Sequence, residues 1–305
     1  MAEEHRCDEC GRSFDSQRGL KVHKSQAHEG DEKSMDETGN SSGILPRGEK
    51  LVLSLNQALA LSFFLGLVLG GFGMSLMAGD VGKAGSSPSN SRLVELKNTE
   101  YPYKGIPTGI ADSSEPMDNL TAKVTGEPYI GNPDAEVTMV AYEDFECPFC
   151  NRYHQGAYQD IVKNYISKGK VQYFYKHFPL SNIHPWAVDA AIASECALNQ
   201  DVKAFWTFQK GFFNNKDLLT NLYKTNQTLF DRSMVRWAEQ TGLDVQQFKQ
   251  CYNNKEELPE VREDFQQGSR KGVGGTPTVF VENQKIVGAQ PFMNFQKAIE
   301  SELAE

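Results

Sequence analysis

The chain has 305 residues, 39% of them apolar and 23% charged, with 31 Lys and Arg against 40 Asp and Glu. That length and balance exclude a fibrous, collagen-like or wholly disordered protein and allow one to three domains. A formal charge of −9 argues against bulk attraction to nucleic acid or anionic lipid. Six cysteines are too few for a disulfide scaffold, yet four of them fall in two Cys-x-x-Cys pairs.

The first pair opens the chain. Cys7-x2-Cys10-x12-His23-x4-His28 supplies two thiolates and two imidazoles at the spacing of a tetrahedral zinc site. Phe14 and Leu20 fall where a small hairpin-plus-helix unit needs its only core, so metal binding would be its folding energy. Residues 5–28 resemble the Cys-Cys-His-His zinc finger family at all four ligands and both core positions. By that resemblance the base-reading positions are Ser16, Gly19 and Val22, poor partners for base edges. The reading is therefore a structural zinc unit that contacts protein or caps the tail, with nucleic acid as the minor alternative partner.

A polar linker, 29–50, leads to 29 uncharged residues from Leu51 to Gly79. As a helix rising about 1.5 Å per residue they would reach roughly 43 Å, beyond the roughly 30 Å of a hydrocarbon core. Segment 51–79 is expected to be an uncleaved signal-anchor, spanning lipid mainly through Ala58–Ala78. Lys33, Arg47 and Lys50 precede it and Lys83, Arg92 and Lys97 follow, so flanking charge does not orient it. The Gly, Ser, Pro and Asn of residues 80–120 read as a stalk.

Residues 121–305 are long enough for one domain with a sizeable core. Val137–Asp144 is expected to be a buried strand, Cys147 to Ser167 a helix, and Val171–Phe178 a second strand. Residues 185–268 are helical by periodicity, with Trp186, Phe205, Trp206, Phe212 and Trp237 as core candidates. Thr278–Val281 and Lys285–Val287 predict a hairpin, and Phe292–Leu303 a closing helix. The pattern is α/β.

The second cysteine pair, Cys147-Pro148-Phe149-Cys150, sits where the first strand meets the helix. A thiol at a helix amino terminus faces unpaired N–H groups and the positive end of the dipole, which favour thiolate. Cys147 is expected to be the more exposed nucleophile and Cys150, one turn inward, the resolving thiol. The spacing alone leaves zinc ligation, redox chemistry and a structural bridge open. His154 is the nearest extra ligand candidate and reads as polar surface.

Three stretches carry a wider resemblance: YEDFECPFC at 142–150, FPLSNIHPWAVDAA at 178–191 and GVGGTPTVFVENQKIVGAQP at 272–291. They resemble the DsbA-like thiol:disulfide oxidoreductases of the thioredoxin superfamily over about residues 125–303. The resemblance implies a thioredoxin fold with a helical insertion and a redox-active Cys147–Cys150 disulfide. It also implies a cis Pro277 packed on the dithiol and a Thr276 backbone offered to substrate. It further implies a second disulfide, Cys196–Cys251, two separate buried thiols being the alternative. Phe149 stands where such oxidants often carry His, and Glu143, Asp144 and Glu146 crowd the thiols, leaving the direction of exchange open. Asp144 is read either as a proton relay to Cys150 or as a solvated loop charge, and His184 as structural.

Zinc thiolates persist on the reducing side of a membrane and an oxidising dithiol outside it, which places the N-terminus in the cytoplasm. The expected protein is a membrane-anchored oxidoreductase with no cofactor beyond zinc and its dithiol. Its partners would be membrane lipid, secreted or surface proteins with cysteine thiols, and a re-oxidising or reducing protein. A reductase or isomerase, or a redox-sensing regulator acting through its finger, are the alternatives.

Overall fold

The computed structural model describes residues 5–8, 11, 13–14, 20, 93–111, 124 and 126–304. Residues 51–79 lie outside them, as do Cys10, His23 and His28. Among the described residues no helix is long and apolar enough to cross a membrane. Near the N-terminus β1 (His5–Arg6) pairs antiparallel with β2 (Ser13–Phe14), His5 opposite Phe14.

A six-stranded sheet organises the larger part. Its strands are β3 (Thr108–Ile110), β4 (Pro128–Ile130), β5 (Val137–Glu143), β6 (Val171–His177), β7 (Thr278–Val281) and β8 (Gln284–Val287). Their spatial order is β3-β4-β6-β5-β7-β8, with β5 parallel to β6 and antiparallel to β7. Strands covered on both faces need near-continuous apolar sequence, and β5 and β6 are buried along their whole length. The expected strand through Asp144 ends one residue earlier, because Asp144 turns its carboxylate onto loop amides.

The helical run from Cys147 to Ser167 is broken. It forms α1 (Pro148–Gln155), α2 (Ala157–Asn164) and a 3-10 turn at Ile166–Lys168. Gly156, at φ −119° and ψ −107°, makes the break; a Cβ there would meet the Arg152 carbonyl oxygen at 3.2 Å. The insertion is α3 (Ala187–Leu198), α4 (Val202–Thr225), α5 (Gln227–Gln240), α6 (Val245–Asn253) and α7 (Leu258–Arg270), and α8 (Phe292–Glu302) closes the domain. Asp201, Asn226 and Asp244 start α4, α5 and α6 by accepting from N–H groups of the first turn. The five aromatic residues expected in the core are all buried. A disulfide joins Cys196 on α3 to Cys251 on α6, with Cα atoms 5.8 Å apart and a sequence separation of 55. By the chain-entropy estimate, closing a loop of that length restricts the unfolded state by about 4 kcal/mol.

Residues 93–111 depart from the expected stalk. Val94, Leu96 and Tyr103 are buried in the domain core. Val94 receives a 2.8 Å hydrogen bond from the Trp237 indole and donates one of 3.0 Å to Ser233. Trp206 donates to Thr108 at 3.0 Å. The segment adds β3 to the sheet edge and covers helices that would otherwise expose tryptophan.

Alternation along β6 sends Lys176 to one face and Tyr173, Tyr175 and His177 to the other. Lys176 is fully buried between Glu127, at 2.8 Å, and Asp264 on α7. Burial opposes its charge, but the two carboxylates outweigh this and raise its affinity for the proton. The second oxygen of Asp264 accepts from the His177 N–H at 2.7 Å.

Candidate active site

The end of β5 launches a short loop, and Cys147 is the N-cap of α1. Its N–H donates to the Asp144 carbonyl at 3.1 Å, and its own carbonyl accepts from Asn151 at 3.0 Å. Pro148 costs the helix nothing at this end, where N–H groups have no intrahelical acceptor. Across the sheet, Thr278 pairs with Tyr142. That register carries the two preceding residues alongside the cysteine loop. The Thr276–Pro277 peptide bond is cis, and Cys147 Sγ lies 3.4 Å from the Thr276 carbonyl oxygen. The Thr278 hydroxyl donates to Gly275 at 2.7 Å and braces the turn. Cys147, Cys150, Thr276 and Pro277 thus meet at one point, whereas Cys196 and Cys251 pair with each other in the insertion. Cys7, the one zinc-ligand candidate among the described residues, follows β1 and is buried.

Both thiols of the pair are free. Cys147 is 3% exposed and Cys150 wholly buried, so the nucleophile is the more accessible but by a narrow margin. The Thr276–Pro277 turn covers it, leaving Pro148 and Phe149 at the surface. The Arg152 guanidinium sits 5.0 Å from the Phe149 ring centroid, making a rim with one cation and one aromatic face.

The pair is split in acidity. The Cys147 thiol is lowered to about 6, chiefly by the hydrogen bond with the Cys150 thiol, against the opposing effect of burial. Thr276 and the N–H groups of Cys150 and Phe149 add to it. The Thr276 hydroxyl is buried without a partner while Cys147 Sγ donates to the carbonyl. Once Cys147 ionises it can donate no longer, and that hydroxyl is a donor at hand for the thiolate. Cys150 goes the other way: burial pushes its thiol well up, the bond with Cys147 adds to this, and the charge of Glu143 adds again. Of the acidic residues that the sequence sets against thiolate formation, Glu143 weighs on Cys150, and Cys147 becomes acidic without a histidine at position 149.

Asp144 is buried and hydrogen-bonded, not a solvated loop charge. One oxygen accepts from the Glu146 N–H at 2.8 Å; the other accepts from the Leu180 N–H at 2.8 Å and lies 2.7 Å from His184 Nδ1. That contact raises the His184 pKa. Glu146 accepts from the Trp186 N–H at 2.8 Å, and burial lifts its carboxyl to about 7. Together they clamp the segment 178–186 to the cysteine loop, which gives the structural role of His184 a specific partner.

His154 is buried, not surface. Its Nε2 lies 3.0 and 2.8 Å from the two oxygens of Glu143, which is fully buried and also accepts from Tyr173 Oη at 2.6 Å. The signal was available: His154 falls four residues after Cys150, so an inward Cys150 places His154 inward on the same helix face.

Comparison with known proteins adds a family and a fold. The family described as Thioredoxin matches residues 123–301. The protein of Bacillus anthracis named Probable disulfide bond formation protein D is 30% identical over 174 residues, 57% of this chain and 77% of that protein. Na(+)/H(+) antiporter NhaA 1 of Mycolicibacterium gilvum is 33% identical over 173 residues. The match takes in 56% of this chain but only 26% of that antiporter. The crystal structure of oxidised BdbD from Bacillus subtilis superposes with a TM-score of 0.51 at 23% identity, covering 61% of this chain and 98% of BdbD. At that identity the likeness speaks to fold.

Proposed function

The chain belongs to the thioredoxin family, and on that footing we propose that it is a thiol:disulfide oxidoreductase that forms disulfides in other proteins through Cys147 and Cys150. The observation that carries the reading is the split in acidity across one turn of helix. With a thiol lowered to about 6, thiolate exceeds thiol at Cys147 by roughly ten to one at pH 7. A stable thiolate is a good leaving group, and it favours the reduced form of the couple.

In the forward direction a substrate thiolate attacks Cys147 Sγ of the oxidised pair. The Cys147–Cys150 bond breaks, its electron pair passes to the Cys150 sulfur, and that sulfur takes up a proton. A second substrate thiolate then attacks the substrate sulfur of the mixed disulfide, and Cys147 leaves as thiolate. The substrate has lost two electrons, and a re-oxidising partner must remove them from the dithiol. The Thr276 backbone beside Cys147 suits an extended segment added as a strand.

The same proposal places the catalytic domain outside a membrane, held by residues 51–79, with its substrates among secreted or surface proteins. It assigns a structural zinc to Cys7, Cys10, His23 and His28. The two-stranded hairpin supports this: the Gly11 N–H donates to the carbonyl of Cys7, the first of the four, at 2.8 Å. Zinc would supply folding energy there and no chemistry. Thiolates ligating zinc fit the reducing side, opposite the dithiol.

The test is transfer of oxidation. Oxidised chain mixed with a reduced peptide bearing two cysteines is expected to yield peptide disulfide in stoichiometric amount, read by mass spectrometry. Cys147→Ser should lower the rate at least about a thousandfold. Equal rates for the two proteins would refute the assignment.

A further inference from the structure

The acidic residues that crowd the thiols in sequence are turned inward. Glu143 meets His154 and Tyr173, Asp144 meets loop amides and His184, and Glu146 meets the Trp186 N–H. All three carboxylates are buried. Outward, α1 carries one permanently charged side chain, Arg152, and it is exposed. Among the described residues no carboxylate lies within 4.0 Å of its guanidinium. A chain of net charge −9 thus presents an unpaired cation beside its dithiol.

Contacts fix where that cation sits. Cys147 Sγ lies 3.4 Å from the Thr276 carbonyl oxygen, and the next carbonyl, of Pro277, accepts from the Gly288 N–H at 2.8 Å. The neighbouring Ala289 carbonyl accepts from Arg152 Nη2 at 3.4 Å, and the guanidinium lies 5.0 Å from the Phe149 ring centroid. Phe149 is two residues after Cys147, so the contacts close into a collar that starts and ends at the nucleophile. Arg152 is its only basic member. Holding the side chain over a ring and against a carbonyl lowers the rotamer freedom it must lose on pairing. One of its five N–H donors goes to Ala289, and the other four keep the fork geometry that matches a carboxylate.

We propose that Arg152 selects protein substrates that carry Asp or Glu two or three residues from the reactive cysteine. The proposal rests on the oxidoreductase reading and deepens it by naming a substrate class. A segment that adds along the Thr276 backbone with its sulfur on Cys147 crosses the collar as it leaves. The five helical residues from Cys147 to Arg152 rise about 7.5 Å. Two or three residues of extended chain span about 7–10 Å, which brings a carboxylate at that spacing to the guanidinium. A lysine or arginine at the same place meets a like charge that has no neighbouring carboxylate to offset it.

The test uses the full chain in its oxidised form and two reduced dithiol peptides, identical except for Asp or Lys two and three residues from one cysteine. The ratio of their oxidation rates, acidic over basic, is read by mass spectrometry at low salt for each variant. Comparing one pair of peptides across variants cancels their own thiol reactivity, and a change in the dithiol itself would move both rates together. The ratio is expected to fall about fivefold in Arg152→Gln and about twentyfold in Arg152→Glu, relative to the unmutated chain. Arg152→Lys should retain part of it, and about 0.5 M salt should bring all the ratios together. An unchanged ratio in Arg152→Glu would overturn the proposal, and so would an equal fall in both rates. An unmutated chain that oxidises neither peptide would instead remove the oxidoreductase reading itself.

Discussion

Replacing Cys150 with alanine is expected to stop turnover at the mixed disulfide and to accumulate covalent complexes with substrate proteins. Cys147 keeps its place as N-cap of α1 and its contact with Thr276. It loses the hydrogen bond that contributes most to its acidity. The Cys147 thiolate still attacks a disulfide already present in a partner protein, the reverse of the oxidising direction, and one partner sulfur leaves as thiolate; the thiol one turn inward that would then release the partner is gone. Non-reducing electrophoresis should show the adducts and thiol reductant should dissolve them. Their lifetime should exceed that of the unmutated chain by at least about a hundredfold. An absence of adducts would mean that Cys147 is not the attacking position. The same variant offers a direct way to capture substrates.

The second large effect is on stability. Lys176→Met keeps the apolar stem but removes the ammonium held between two buried carboxylates, Glu127 and Asp264. Breaking a buried pair by deleting one partner costs about 3–5 kcal/mol, because the remaining charges stay desolvated. Chemical denaturation followed by tryptophan fluorescence should show that loss. The triple variant Lys176→Met, Glu127→Gln, Asp264→Asn should recover part of it, since the Asp264 position must still accept from the His177 N–H. A single-variant cost below about 1 kcal/mol would mean that Lys176 is not held as a buried ion.

The sequence made legible what depends on local order. A fully apolar strand, a proline after the first cysteine, and a Gly-Gly-Thr-Pro turn before the hairpin each fix their own geometry, and together they fix the dithiol. What it hid depends on distant partners. Lys176 and Asp264 are 88 residues apart, and in sequence Lys176 is only a polar residue in an aromatic strand. β3 and β4 have three residues each, too few for any periodicity, and polar neighbours gave the segment that carries β3 the look of a stalk. The carboxylates around the cysteines were visible, but not that Glu143 turns toward Cys150 and Asp144 toward loop amides. That division decides which thiol is acidic.

The pH dependence of the reduction potential bears most directly on that division. Equilibrated with glutathione between pH 5 and 8, the Cys147/Cys150 couple should lose about 59 mV per pH unit at the acid end, where reduction takes up two protons. Above the Cys147 thiol's value of about 6 only one proton is taken up, and the slope should fall to about 30 mV. A break near pH 6 is the predicted result. An unbroken slope of about 59 mV up to pH 8 would show both thiols protonated throughout, and would contradict the account.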